Sequence, residues 1–395
     1  MTARISRTAG RVVAAVVLLV AARAGAAQGT LSSQGFGYPP GQLSARGLAT
    51  GGATAELDPQ SPINPAALAS WGRPGIYFQY SPEFRRVLAG GSEDRATLAR
   101  FPLAVAALSA TQRVTVAISY STLLDRTWET NSSLLVGTGD DTSTATATFR
   151  STGAINDVRL AAAYELRPTL RLGLGIHALS GENRTERALA ASDSSAFSST
   201  REQQAFSFSG KGLSAGLDWR PSRSLAIAAS GRIGGTLTAW RGDTAVRRAD
   251  VPTRAGASVA YNGFGGSLLV ARADWEGWSR LRGLSSSAVE TRDAWELSVG
   301  TETRGPSWFG TNLPLRGGVH WRTLPFALPG TGDVREVTGA LGAGLPLARG
   351  RAQADFTVER AFRSFSGNAP GNASGGASDV RERAWTLSFG FGVRL

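Results

Sequence analysis

His177 and His320 are the two histidines of this chain, and it contains no cysteine. Acyl-transfer chemistry needs a nucleophile, a base and a group that orients the base. Both histidines fall inside glycine-rich alternating stretches, "LRLGLGIHAL" and "LRGGVHW", and neither adjoins a serine motif. The lack of cysteine removes thiol chemistry, disulfides and thiolate zinc sites together. "SFSGKG", around Lys211, lacks the first glycine of a phosphate-binding loop and reads as a turn. What remains in quantity is arginine: Lys+Arg number 42 against 30 Asp+Glu, the formal charge is +12, and Lys211 is the single lysine. The arginines are scattered singly, with no basic stripe and no nucleic-acid motif. We therefore expect no enzyme, no metal, no cofactor and no nucleic-acid partner. For an exported chain, membrane lipid is the better partner for this charge, and arginine standing in generally for lysine accounts for it more simply still.

The elements that would position these residues begin with a leader. Arg4, Arg7 and Arg11 precede the apolar run 12–22, and Ala24-Gly25-Ala26-Ala27 supplies small residues for cleavage. This is the layout of a secretory signal peptide, taken as residues 1–26. The run is too short to span a bilayer, and no later segment is apolar enough for a membrane helix. Residues 27–72 are rich in Gly, Pro, Ala and Ser without a sustained period, and a second region, 73–395, has a different texture.

After Gly72 segment upon segment alternates, the signal of a two-faced strand. Val158, Leu160, Ala162, Tyr164 and Leu166 oppose Arg159, Ala161, Ala163 and Glu165; Leu170, Leu172, Leu174 and Ile176 oppose Arg171, Gly173, Gly175 and His177. A slip of one residue would put charge on the wrong side. Turns are expected at Arg167-Pro168, Arg220-Pro221-Ser222, Asn262-Gly263 and 347–350. Longer polar loops are expected near 137–145, 181–204 and 364–381, the last of them mobile. About fourteen strands result.

A soluble sandwich would carry its polar residues outside. Here one face is almost purely apolar and the other is Gly, Ala and Ser with scattered charge, which fits lipid outside and a polar lumen. Trp219, Trp240, Trp295, Trp321 and Trp385 sit near strand ends, where aromatic girdles lie. In "AWTLSFGFGVRL", Trp385, Leu387, Phe389, Phe391, Val393 and Leu395 share one face. This stretch, 384–395, is the strand that the barrel-assembly machinery would read. The expected fold is all-β: a transmembrane antiparallel β-barrel in a bacterial outer membrane.

Residues 44–69, "SARGLATGGATAELDPQSPINPAALA", carry a resemblance. They resemble the N-terminal signature of the FadL/TodX family of outer-membrane transport proteins, through Gly47, Gly51, Gly52, Ala53, Asp58, Asn64, Pro65, Ala66 and Leu68. Pro59 after Asp58 departs from the family pattern. "YELRPTLRLGLGIH" and "LDWRPSRSLAIAASGRI" are similar to family hairpins. The resemblance implies a fourteen-stranded barrel whose N-terminal segment folds into the lumen as a plug, with Asn64, Pro65 and Ala66 at its last turn. It implies passive uptake of a hydrophobic small molecule, a long-chain fatty acid or an aromatic hydrocarbon, with sideways exit through the wall.

A fatty acid needs an apolar slot and a cation near its carboxylate. Arg159, Arg171, Arg316 and Arg322 fall on the lumen face and are the candidates, the alternative being that they pair with Glu165, Glu296 and Asp355. "SARGLATGGA" and "TLPF" are also similar to PorV-type relatives, barrels that serve as partners in protein secretion. A continuous apolar slot would favour transport over that role.

Overall fold

A computed structural model describes residues 30–89, 92–138, 141–191, 199–285, 289–308, 311–366 and 380–395. The expected leader, 1–26, and most of the expected mobile loop, 367–379, lie outside the described residues.

Fourteen strands form one closed antiparallel ring. They are β1 (Gly75–Tyr80 and Glu83–Ala89), β2 (Ser92–Leu98 and Leu103–Ser109), β3 (Val114–Asp125 and Trp128–Thr138), β4 (Asp141–Arg167), β5 (Leu170–Ala191), β6 (Thr200–Trp219) and β7 (Leu225–Gly234 and Thr236–Arg241). There follow β8 (Thr244–Asp250 and Thr253–Phe264), β9 (Ser267–Gly277), β10 (Ala294–Trp308), β11 (Thr311–Thr323), β12 (Asp333–Leu347), β13 (Ala352–Ser366) and β14 (Arg381–Arg394). Sequential strands pair as hairpins, and β14 closes on β1 from Gly75↔Arg394 to Tyr80↔Phe389. Ring closure pairs the strands on both sides over most of their length, the condition for strands to cross lipid. No helix among the described residues is long and apolar enough to cross a membrane.

The alternation sorts the faces. Leu174 is 70 % and Leu341 71 % exposed to the surroundings, and Ile118, Leu160, Ile176 and Phe389 join them in the outward band. The interleaved Arg159, His177, Arg316 and Glu336 are buried inward. Short connections gather at the end that holds the C-terminus, and the longer loops 278–293 and 324–332 lie at the other. In an outer membrane the short turns face the periplasm.

Two local expectations need correction. The presumed loops near 137–145 and 181–204 are largely strand: β3 runs to Thr138, β4 starts at Asp141, and β5 and β6 fill most of the second region. β4 has 27 residues, against the roughly 10 that cross a bilayer. Its distal part extends beyond the roughly 10 residues that cross a bilayer and is rich in Thr and Ser in place of the apolar signal. Asn262-Gly263 lies within β8, and the turn is Gly265-Gly266, whose φ values of 58° and 83° suit glycine.

Inside the ring lies the N-terminal segment from Thr30 to Ser70. It holds two short helices, α1 (Thr30–Ser33) and α2 (Ala45–Ala49), and a 3-10 turn, Pro65–Ser70.

Candidate functional site: the lumen and the split between two strands

The wall accepts the N-terminal segment where it has no side chains. A Cβ at Gly173 would collide with the Pro65–Ala66 backbone, one at Gly216 with the Asn64 amide, and one at Gly300 or Gly318 with Thr50. Asn64 Oδ1 accepts from Ala66 N at 2.9 Å, capping the 3-10 turn that Pro65 opens. Its Nδ2 donates to Glu56 O at 2.8 Å and to Leu217 O, in the wall, at 3.0 Å. One side chain thus ties the turn to itself, to the rest of the segment and to β6. Glu56 is fully buried and is held by Arg254 and Ser230. Asp58 accepts from Ser44 and Ser61.

The four arginines singled out from the sequence are not brought together. Arg171 donates to Ser70 at 2.8 Å and to Asp218 at 3.1 Å, and also reaches Glu165. Arg316 is held by Glu302 at 2.7 Å and Asp355 at 2.6 Å. Arg322 pairs with Glu336 at 2.6 Å rather than with Glu296. Arg159 differs: it is 1 % exposed, and its Nε and Nη1 have no hydrogen-bond partner. Three of the four are spent on holding the lumen together, and no shared pocket collects them.

Among the described residues the ring is interrupted at one place. Between β2 and β3 the ladder runs from Ser109↔Thr115 to Leu103↔Ser121 and stops. Beyond it, the distal piece of β2 pairs only with β1, and that of β3 only with β4. Pro82 and Pro102 mark the breaks in β1 and β2, where a residue without N–H ends the ladder. In β3 the register shifts between Thr122 and Leu124, so Leu123 and Leu124 both turn inward.

From within, Tyr38 occupies the split. Its N–H donates to Asp125 O at 2.7 Å and its carbonyl accepts from Asp125 N at 2.9 Å, a one-residue substitute for the missing strand. Arg85, Arg100, Arg322 and Arg363 surround the Tyr38 ring, with guanidinium carbons 4.7–5.4 Å from its centroid. Its hydroxyl donates to Glu336 at 3.1 Å and accepts from Arg363 at 2.8 Å. Burial, offset in part by Arg322 and Arg363, pushes the phenol up to about 12, so it remains protonated. Arg100 joins the strands by donating to Asp125 at 2.6 Å and to Glu83.

Above this ionic layer the lumen is apolar. Phe36, Leu123, Leu124, Ile155, Leu179 and Phe208 pack with Trp278, Leu281 and Phe326 of the long loops. Phe36 and Phe326 stack with centroids 4.6 Å apart. A column of apolar side chains therefore runs from the mouth to Leu123 and Leu124, at the split. Arg126 lies at its foot, 4.7 Å above the Phe36 ring, and its Nε has no partner.

The histidines also gain partners. His177 Nδ1 meets Asp157 at 2.8 Å and Nε2 meets Ser214 Oγ at 2.8 Å. This has the order of a nucleophile relay, formed across β4, β5 and β6. Gln42 lies over it, donating to Asp157 at 3.0 Å and Ser121 at 2.6 Å, and ties the relay to the N-terminal segment. His320 lies beside Glu336.

Sequence reasoning missed Phe36, Tyr38 and Arg126. Alternating Gly35-Phe36-Gly37-Tyr38-Pro39-Pro40 was the available signal: two aromatics on a stiff strap flanked by glycines.

No family model and no curated protein sequence matches the chain. Solved structures do. A FadL homologue from Pseudomonas aeruginosa superposes with a TM-score of 0.62 at 13 % identity, over 91 % of this chain and 99 % of that one. CymD, a monoaromatic hydrocarbon channel, gives 0.54 at 13 %, over 89 % and 97 %. The toluene transporter TbuX of Ralstonia pickettii gives 0.54 at 14 %, over 89 % and 98 %. The chain has the fold of the FadL/TodX-type outer-membrane barrels.

Proposed function

We propose that this barrel takes up hydrophobic small molecules passively across the outer membrane and releases them sideways, between β2 and β3, into the bilayer. The observation that carries this reading is the apolar column that begins at the loop end and finishes at the one interruption of the ladder. A ligand leaving the column meets two exits. Below lies a buried layer of Arg, Glu and Tyr38, where an apolar molecule would displace ion pairs. Beside it lies the split, and beyond the split is lipid, which each CH2 prefers to water by about 0.8 kcal/mol. The sideways route is the downhill one.

In this reading the N-terminal segment is the plug, and Tyr38 is its bolt. The barrel described is closed; exit requires Tyr38 to leave Asp125. Structural neighbours that are hydrocarbon channels support the class of cargo. A packed apolar column that reaches from the loop end to the split favours uptake over a docking role in secretion. For a fatty acid, the cation that meets the carboxylate is Arg126, at the foot of the column, rather than Arg171, Arg316 or Arg322, which carboxylates already hold.

Proteoliposome uptake tests this. The wild-type barrel should saturate with a fluorescent long-chain fatty acid, and Leu124→Asp should reduce uptake at least tenfold. Arg126→Gln should weaken the fatty acid and leave toluene binding unchanged. Normal uptake by Leu124→Asp would refute the route.

A further inference from the structure

The outward face of the wall carries an arrangement that neither folding nor uptake explains. Arg86 of β1 stands directly opposite Arg383 of β14 on one side and Arg95 of β2 on the other. Outward apolar residues alternate below them, and Phe84, next in line, is exposed. Like charges directly opposite one another in adjacent strands are destabilising. One carboxylate, Glu93, touches this row, pairing with Arg86 and Arg95. Among the described residues no carboxylate pairs with Arg383 or with Arg360, which sits one step lower on β13, opposite Trp385. The Arg360 guanidinium lies 4.6 Å above the Trp385 ring and 5.3 Å from that of Phe362.

The level of this row is informative. From Val393 to Arg383 is ten residues along a tilted strand, about 26 Å of height at ~3.4 Å per residue and ~40° tilt. That matches the apolar band of about 25 Å in such barrels, so the row lies where the outer leaflet's head groups begin. Elsewhere at this end two exposed arginines have their own acids: Arg184 lies 3.7 Å from Glu182 and Arg201 lies 2.8 Å from Glu186. Directly beneath Arg360 a trough of about 700 Å³ opens in the lipid-facing wall. Gly317 and Gly339 form its floor and Leu341, Val358 and Trp385 its sides.

We propose that this face is a binding site for a phosphorylated glycolipid of the outer leaflet, with phosphates on Arg86, Arg383 and Arg360 and an acyl chain in the trough. Guanidinium groups bind phosphate oxygens in pairs, and a phosphate between Arg86 and Arg383 turns their repulsion into attraction. The glycine floor leaves room for the chain, and Trp385 holds the boundary between the two.

Native mass spectrometry of the detergent-purified barrel, titrated with bisphosphorylated lipid A and with the same lipid after removal of both phosphates, tests this. The double variant Arg86→Gln/Arg383→Gln and the single variant Arg360→Gln should each bind the phosphorylated lipid at least fivefold more weakly. Arg184→Gln/Arg201→Gln should stay within twofold of the wild type. In lipid-free detergent the double variant should melt no lower than the wild type, because like-charged neighbours have been removed. Unchanged lipid binding by the variants, equal binding of the dephosphorylated lipid, or a lower melting temperature of the double variant in lipid-free detergent would each overturn the proposal.

Discussion

Asn64→Ala removes three hydrogen bonds that hold the N-terminal segment: to Ala66 N, Glu56 O and Leu217 O. The capping bond and each of the others contribute about 1 kcal/mol net. Docking of the segment should therefore weaken by roughly 3 kcal/mol, which raises the undocked fraction about 100-fold at ~1.4 kcal/mol per decade. The barrel ladder makes none of these bonds through its own side chains, so its stability should be unaffected. Hydrogen exchange followed by mass spectrometry reads both. Amides of 57–70 should exchange roughly 100-fold faster in the variant, in line with that ~3 kcal/mol, while those of β4–β6 keep the wild-type rate. Single-channel recording should show more frequent open events. Unchanged exchange at 57–70 would refute the assignment of Asn64 as the tie between segment and wall. Equal acceleration throughout the barrel would show that segment and wall unfold together.

Two more predictions follow from the same contacts. Gly173→Val places carbon where the Pro65–Ala66 backbone lies; the variant should fold as a barrel with its segment undocked, visible as tryptic cleavage after Arg46, which Glu302 holds in the wild type. Tyr38 has a phenol raised from 10.0 to about 12 by burial. The docked state holds this proton more tightly than the undocked one, so docking is intact below pH 10 and is lost as pH rises from 10 towards 12. Channel opening over that window should disappear in Tyr38→Phe.

Much of the architecture was legible in the sequence because a membrane barrel writes its two solvents into alternate residues. Leu160 and Ile176 face lipid, Arg159 and His177 face the lumen, and the period of two fixed both the strands and their faces. Legibility ended where one of the solvents did. The extension of β4 past the length that crosses a bilayer has no lipid to demand apolar residues, and Thr-rich strand there reads as loop. The N-terminal segment has no period, since its shape is set by glycines of distant strands. Asn64-Pro65-Ala66 stood out as a local cap, but Tyr38 meets Asp125, Glu336 and Arg363 only when the ring closes. The Asp157–His177–Ser214 relay is likewise a product of register across three strands. The lumen arginines were correctly placed on the inner face, yet their partners decide their role. Arg171, Arg316 and Arg322 are held by carboxylates, whereas Arg126, in the strand break, lies at the column's foot.

The most direct test of the proposed route is to lock the split. Tyr38 and Asp125 exchange both backbone hydrogen bonds, an antiparallel pair with Cα atoms about 5.5 Å apart, within disulfide range. The chain has no cysteine of its own, so Tyr38→Cys/Asp125→Cys gives one possible bridge. Uptake of fluorescent fatty acid into proteoliposomes should be abolished when the pair is oxidised and return when it is reduced, in the same sample. Undiminished uptake through the oxidised barrel would contradict sideways exit between β2 and β3.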